Sequence, residues 1–240
     1  MATVEVSADG GIEELREKKS FGQKTVEMIK KQPLGTVGFL VVIAMIVMAV
    51  GAIYLTPYDP EENDFANMLI APGWEFLLGT DQFGRDNMTR LIYGARTALF
   101  VGFVASFVGA TIGLVLGVMS AYFGGTFDLI FQRVMDVFMA FPLVIMALAI
   151  VSIFGTGVEM VIIAITIPFI PRCARVVRSS ALALRELPYI DAARSVGYSH
   201  VRIIMRHMVP NVMAPFLIML TAFVGQAILT EASLSYLGMG

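Results

Sequence analysis

Two histidines and a few charges inside apolar stretches are the residues of this 240-residue sequence best placed to do chemistry. His200 and His207 lie seven positions apart, on one face of a helix. With no carboxylate beside them they make a poor metal site, because zinc usually takes at least three protein ligands. They are expected to be interfacial histidines in a basic loop. H-E-x-x-H, G-x-S-x-G and paired Cys-x-x-Cys patterns do not occur, so no nucleophile–base pair or metal is expected. Cys173 is the one cysteine, which rules out an internal disulfide. No G-x-x-x-x-G-K-[ST] phosphate loop occurs, so this chain is expected to be no enzyme and to hydrolyse no nucleotide itself. Asp128, Arg133 and Asp136 cluster near the start of one apolar stretch, and Glu231 ends another. A carboxylate deep in a bilayer marks an ion pathway. The alternative function is therefore a stand-alone ion-coupled carrier or channel with Asp136 or Glu231 as its ion site. Asp128 and Arg133 are expected at the cytoplasmic boundary, where charge costs little.

These residues are carried by a chain that is 57% hydrophobic and only 15% charged, with a mean hydropathy of +0.78. Soluble domains carry about a quarter charged residues, so lipid is the expected solvent and the fold class is an all-α polytopic membrane protein. Uncharged runs mark about five spans. Residues 34–55 form the first, about 33 Å as a helix, after an N-terminal cytoplasmic segment 1–33. The run 97–127 holds the second, ending near Tyr122 where Gly124 and Gly125 signal a turn. Residues 137–158 give a third and 208–230 a fifth. Between them, 160–171 is only 12 residues long and must borrow from its flanks.

Orientation follows from the placement of Lys and Arg, which gather on the cytoplasmic side. The N-terminal segment has six: Arg16, Lys18, Lys19, Lys24, Lys30 and Lys31. Residues 172–207 carry seven arginines against Glu186 and Asp191, whereas residues 56–96 carry three basic and seven acidic residues. An inside N-terminus followed by five alternating spans puts segment 56–94 outside and loop 172–207 inside. Parity and charge agree. The remainder, 95–240, is the transmembrane core.

Small residues recur every fourth position in the second span, at Ala105, Gly109, Gly113, Gly117 and Ala121. Such a stripe permits close helix contact, and a helix–helix seam is the expectation here. Prolines 142, 168, 171, 210 and 215 lie in or at the ends of spans, where each bends a helix or marks its boundary.

The stretch "YIDAARSVGYSH", residues 189–200, is too short and too polar to span, yet it is punctuated as a helix. Pro188 suits the first turn, Asp191 complements the positive dipole end, and Gly197 suits the left-handed residue that closes a helix. Ile190, Ala193 and Val196 or Gly197 fall on one side, and Ser199 can cap the next helix. A helix this short is marginal in water and must pack on something. The residues leave two readings level. One is a connector tucked against the membrane surface, the other a docking knob inserted into a groove of a cytoplasmic protein.

The longer stretch "YIDAARSVGYSHVRIIMRHMVPNV" resembles the signature loop of permease subunits of bacterial ABC importers: E-A-A, three residues, Gly, and a proline thirteen further on. Here the pattern falls on Asp191, Ala192, Ala193, Gly197 and Pro210. "LLGTDQFGRD" (77–86), "YGARTALFVG" (93–102), "AYFGGTFD" (121–128), "RVMDVFMAFP" (133–142), "RSSALALRELPYIDAAR" (178–194) and "LTEASLSYLGMG" (229–240) are similar, in order, to the dipeptide/oligopeptide/nickel class and its second, or "C", permease subunit. The resemblance implies the type I ABC importer transmembrane fold and a place in the bacterial cytoplasmic (inner) membrane. It implies a second homologous permease subunit, two cytoplasmic ABC ATPase subunits and an extracytoplasmic substrate-binding protein as partners, with no nucleic acid and no cofactor in this chain. Its coupling helix, seated in a cleft of the ATPase, would use Tyr189, Asp191, Ala192, Ala193, Val196, Gly197 and Tyr198. Two departures stand out. The family's usual Glu is Asp191, one methylene shorter, and the family's sixth span would follow "LSYLGMG" beyond the sequence given.

Overall fold

A computed structural model describes residues 30–239, so Arg16, Lys18, Lys19 and Lys24 of the N-terminal segment lie outside the described residues. The chain divides into two units at Val47–Met48. Helix α1, Pro33–Leu55, carries no charge over its 23 residues. Pro33 opens it, where a missing N–H costs nothing. Its first half exposes Leu34, Phe39 and Leu40, the all-round apolar surface of a helix solvated by lipid.

The second unit, from Met48 onward, contains the remaining helices. After a short 3-10 turn at Phe65–Asn67, α2 runs over Asn87–Phe123. Asp86 caps it, accepting from the Thr89 amide at 2.9 Å and the Thr89 hydroxyl at 2.6 Å. The cap starts the helix ten residues before the apolar run at Thr97, because it satisfies amide donors that would otherwise be orphaned. Gly124 and Gly125, at φ 61° and 57°, end α2 and start α3, Gly125–Met139. Two consecutive left-handed residues require glycine.

Helix α4 is Leu143–Phe154, bent 84° from α3. The third span expected over 137–158 is thus a broken pair of helices. Pro142 supplies no N–H, and Phe141 before it is pushed out of the helical region. Among the described residues, four helices are long and apolar enough to cross a membrane, or five if the bent pair is one span.

Helix α5, Val158–Arg185, borrows little at its start and much at its end. Arg172, Arg175, Arg178 and Arg185 continue the helix, so residues 172–185 of the stretch read as a cytoplasmic loop are helical rod. Pro168 and Pro171 sit buried inside it. Beyond come α6 (Pro188–Ser195), α7 (His200–Ile203) and α8 (Met213–Tyr236). A π turn at Ile204–Met208 and a 3-10 turn at Val209–Val212 separate α7 from α8. Pro210 lacks the amide a continuous helix would need there, and the Asn211 side chain instead donates to the His207 carbonyl at 2.6 Å.

The core lies where α2, α5 and α8 meet. Ala105, Gly109, Gly113, Gly117 and Ala121 of α2 are all buried. A β-carbon on Gly113 would stand 2.6 Å from the Cys173 Cβ and 2.8 Å from the Ile170 carbonyl oxygen. At that separation only glycine lets the helices touch. The Thr166 hydroxyl and the Cys173 thiol donate across the seam to the Ala105 and Ala110 carbonyls, at 3.4 and 3.3 Å. Phe169 of α5 stacks on Phe223 of α8 with ring centroids 4.2 Å apart.

In the segment joining α1 to α2, Asp81 is a hub. Its Oδ1 accepts from the amides of Phe83 and Arg85 at 2.8 and 3.0 Å, and its Oδ2 from Arg85 Nε at 2.9 Å, with Arg90 also paired to it. Burial alone would raise this carboxyl, but the Arg85 and Phe83 amides and the Arg85 side chain outweigh it and hold it at about 2, below its ordinary 3.8. A depressed acid stabilises the fold above its unfolded value, and that contribution fades as pH falls from about 3.8 to about 2. Pepsin cleavage between Phe76 and Phe83, normalised to a free peptide of the same sequence, should stay slow until pH falls into that window. Asp81→Ala should remove the protection at every pH; a flat profile in both proteins would contradict the assignment.

Candidate functional site

Local chemistry builds α6. Pro188 occupies its first turn, and Asp191 sits near its positive end. At the other end the Gly197 amide donates to the Arg194 carbonyl at 2.9 Å and the Tyr198 amide to the Ala193 carbonyl at 3.1 Å. This is a Schellman closure, and Gly197 makes it at φ 83°. Ser199 then caps α7 by accepting from the Arg202 amide at 3.4 Å.

Tertiary contacts fix the helix. Ile190 is fully buried and Ala193 is nearly so, both in the same core cluster as Ile203 and Met208. Val196 departs from the face expected for it: it is 73% exposed. The helix ends at Ser195, so Val196 belongs to the cap, and Gly197 after it is exposed as well, which leaves Ile190 and Ala193 as the buried face. Outward from the helix stand Asp191, Ala192 and Val196, with Tyr189 and Tyr198 each 40% exposed. Asp191 pairs with Arg194 at 3.1 Å but keeps 69% of its side chain exposed. Such a pair contributes little and leaves the carboxylate available to another group.

The two histidines do not share a site. His200 Nδ1 lies 2.7 Å from the Tyr122 hydroxyl, tying α7 to the end of α2. Arg194 covers the same Tyr122 ring at 5.3 Å. His207 lies between the rings of Tyr198 and Tyr189, at 6.1 and 6.2 Å. Sequence reasoning missed this support because Tyr122 and His200 are 78 residues apart and nothing local links them. The carboxylates weighed as ion sites are also apart. Asp136 pairs with Arg175, and Glu231 accepts from Ser235 at 3.1 Å on another helix. Among the described residues no cluster of His, Cys, Asp or Glu is arranged to hold a metal.

The arrangement presents a short rigid helix, pinned from behind, whose outer face is small and partly apolar. Residues 113–240 match the family described as binding-protein-dependent transport system inner membrane component, and residues 20–72 match the N-terminal TM domain of oligopeptide transport permease C. The chain belongs to the binding-protein-dependent transport permease family. Within it, the chain is 44% identical to a putative peptide transport system permease protein of Brucella suis biovar 1, over 85% of this chain and 69% of the relative. It is 38% identical to the dipeptide transport system permease protein DppC of Alkalihalophilus pseudofirmus, over 91% and 72% of the two chains. It is 39% identical to the glutathione transport system permease protein GsiD of Escherichia coli O6:K15:H31, over 88% and 70%. The fold is that of an ABC importer permease. The native crystal form of the inward-facing MetNI methionine ABC transporter aligns at a TM-score of 0.55 and 23% identity, over 64% of this chain and 76% of that one. The protein is a multi-pass transport permease, and the stand-alone carrier or channel reading is set aside.

Proposed function

We propose that this chain is the second, or "C", permease of an ABC importer for peptides or similar small solutes. It forms half of the translocation pathway beside a second homologous permease. The α6 helix seats in a cleft of one of two cytoplasmic ATPase subunits, and a substrate-binding protein delivers cargo on the extracytoplasmic side. The membrane is the bacterial inner membrane, with the N-terminus cytoplasmic. The observation that carries this reading is α6 itself, buried through Ile190 and Ala193 and closed by Gly197, with Asp191 and Ala192 left outward. The cargo class is supported by three relatives named for peptide, dipeptide and glutathione transport. Closure of the ATPase dimer would push α6, and α5 would carry the push into the seam with α2.

Asp191→Lys reverses an exposed charge, and a bulky residue at Gly197 faces the strain of φ 83°. Each should lower peptide uptake and uptake-coupled ATP hydrolysis in reconstituted complexes about tenfold or more, the scale of losing one anchoring contact. Membrane insertion should be intact. Wild-type uptake in both variants would remove the coupling role.

A further inference from the structure

The segment joining α1 to α2 carries an apolar surface that the coupling role proposed for α6 leaves unexplained. Phe65, Met68, Leu69, Trp74, Leu77 and Leu78 are all large and exposed, Trp74 completely. Single exposed apolar residues are ordinary, but a run this dense is a patch, and patches mark contact with a partner or a membrane. Its backbone is held to keep it outward. Leu69 stands at φ 54°, a conformation that leucine rarely adopts. The Leu69 amide donates to the Asp81 carbonyl at 3.1 Å, and the Ile70 amide to Thr80 Oγ1 at 2.8 Å. The Thr80 hydroxyl in turn donates to the Asn67 carbonyl at 2.5 Å. A leucine in this setting is presented, not tucked away.

Geometry places the patch at the edge of the spans. Tyr58, three residues beyond the end of α1, stacks on Phe76 with centroids 5.3 Å apart. The Asn87 side chain, at the start of α2, donates to the Leu78 carbonyl at 3.2 Å, and the Asn87 amide to the Gly79 carbonyl at 3.1 Å. The turn at residues 76–79 is therefore tied to both helix ends. Exposed Ile53 and Tyr54 carry the apolar surface of α1 up to the same point. The patch thus continues the surface that the spans offer to lipid.

We propose that residues 65–78 lie in the interfacial layer of the bilayer, with Trp74, Leu77 and Leu78 inserted at the boundary between headgroups and acyl chains. Tryptophan favours that layer because its ring is apolar and its N–H is not. Asp59, Glu62, Asp64 and Glu75 line a neighbouring cavity of about 430 Å³, so anionic headgroups would be repelled and apolar burial must drive insertion. The inference holds whatever the cargo and whether or not α6 couples to an ATPase.

Trp74 is the only tryptophan in the chain, so its emission reports on the patch directly. In the full chain reconstituted into phosphatidylcholine vesicles, its emission should be blue-shifted and poorly quenched by aqueous acrylamide. Replacing the lipid by one brominated high on its acyl chains should quench it about twofold or more, the contact expected of an interfacial ring. Phosphatidylglycerol should not strengthen the shielding, and added salt should not weaken it, because apolar burial and not charge attraction holds the patch. Leu77→Ser with Leu78→Ser should shift quenching from the brominated lipid towards acrylamide. Acrylamide quenching equal to that of free N-acetyltryptophanamide, with no effect of brominated lipid, would overturn the proposal. So would shielding that arises only when a second permease or a binding protein is added, which would assign the patch to a protein.

Discussion

Gly113→Val is expected to lower the thermal midpoint of the purified protein by about 6–12 °C, while Gly94→Ala in the same helix leaves it unchanged or raises it. The two positions differ in what a new β-carbon meets. At Gly113 it would stand 2.6 Å from the Cys173 Cβ, 2.8 Å from the Ile170 carbonyl oxygen and 3.0 Å from the Ala174 amide nitrogen. Two of these are backbone atoms, which no rotamer change can move, so α5 must back away from α2. Overpacking of this kind costs about 1–3 kcal/mol, and a backbone-to-backbone crossing belongs at the upper end. Retreat of α5 would also break the thiol and hydroxyl contacts to the Ala110 and Ala105 carbonyls. Lipid offers no hydrophobic compensation, because helix association in a bilayer rests on packing itself. Around Gly94 nothing lies within 4 Å. There alanine should be neutral or gain about 0.5–1 kcal/mol, since it loses less backbone freedom in a helix. Midpoints from fluorescence-detected size exclusion would check both. Equal midpoints for Gly113→Val and wild type would mean that α2 and α5 do not pack as closely as the structure has them.

Much of this architecture was legible because lipid demands that every backbone polar group be satisfied within its own helix, which makes uncharged runs read as spans. The punctuation of α6 was legible too, since Pro188, Gly197 and Ser199 act on their nearest neighbours. What hid was decided at a distance. The length of α5 was underestimated because its arginines look like a loop until their partners are known. Asp128 and Asp136 of α3 hold Arg178 and Arg175, and Gln226 of α8 accepts from Arg172 at 3.2 Å. The break between α3 and α4 turned on whether Pro142 bends a helix or starts one, and both are local solutions to the same missing amide. The fourfold repeat in α2 could be seen, but the helix it meets could not. A seam pattern names only one of its two sides.

Asp128→Ala and Arg178→Ala should each destabilise the protein by about 2–3 kcal/mol, and the double variant should cost clearly less than the two together. Asp128 holds Arg178 through two oxygens: Arg178 Nε donates to Oδ1 at 2.6 Å and Nη2 donates to Oδ2. The Ser120 hydroxyl donates to the same carboxylate, and Gln132 donates to that hydroxyl at 3.3 Å. The two side chains are 15% and 25% exposed, so truncating either leaves a partly buried charge without its counter-ion. A fully buried orphan would cost about 3–5 kcal/mol, and partial exposure lowers that figure. Arg178→Lys should fall in between, because a point ammonium cannot grip both oxygens. The pair ties α3 and the end of α2 to the rod that leads into α6, so its loss should loosen the path by which movement of α6 reaches the spans. A double-mutant cycle on thermal midpoints, repeated for peptide uptake in the reconstituted complex, separates these effects. Additive midpoint losses would show that the pair is not a unit. Non-additive midpoints with wild-type uptake would show that it holds the fold and carries no motion.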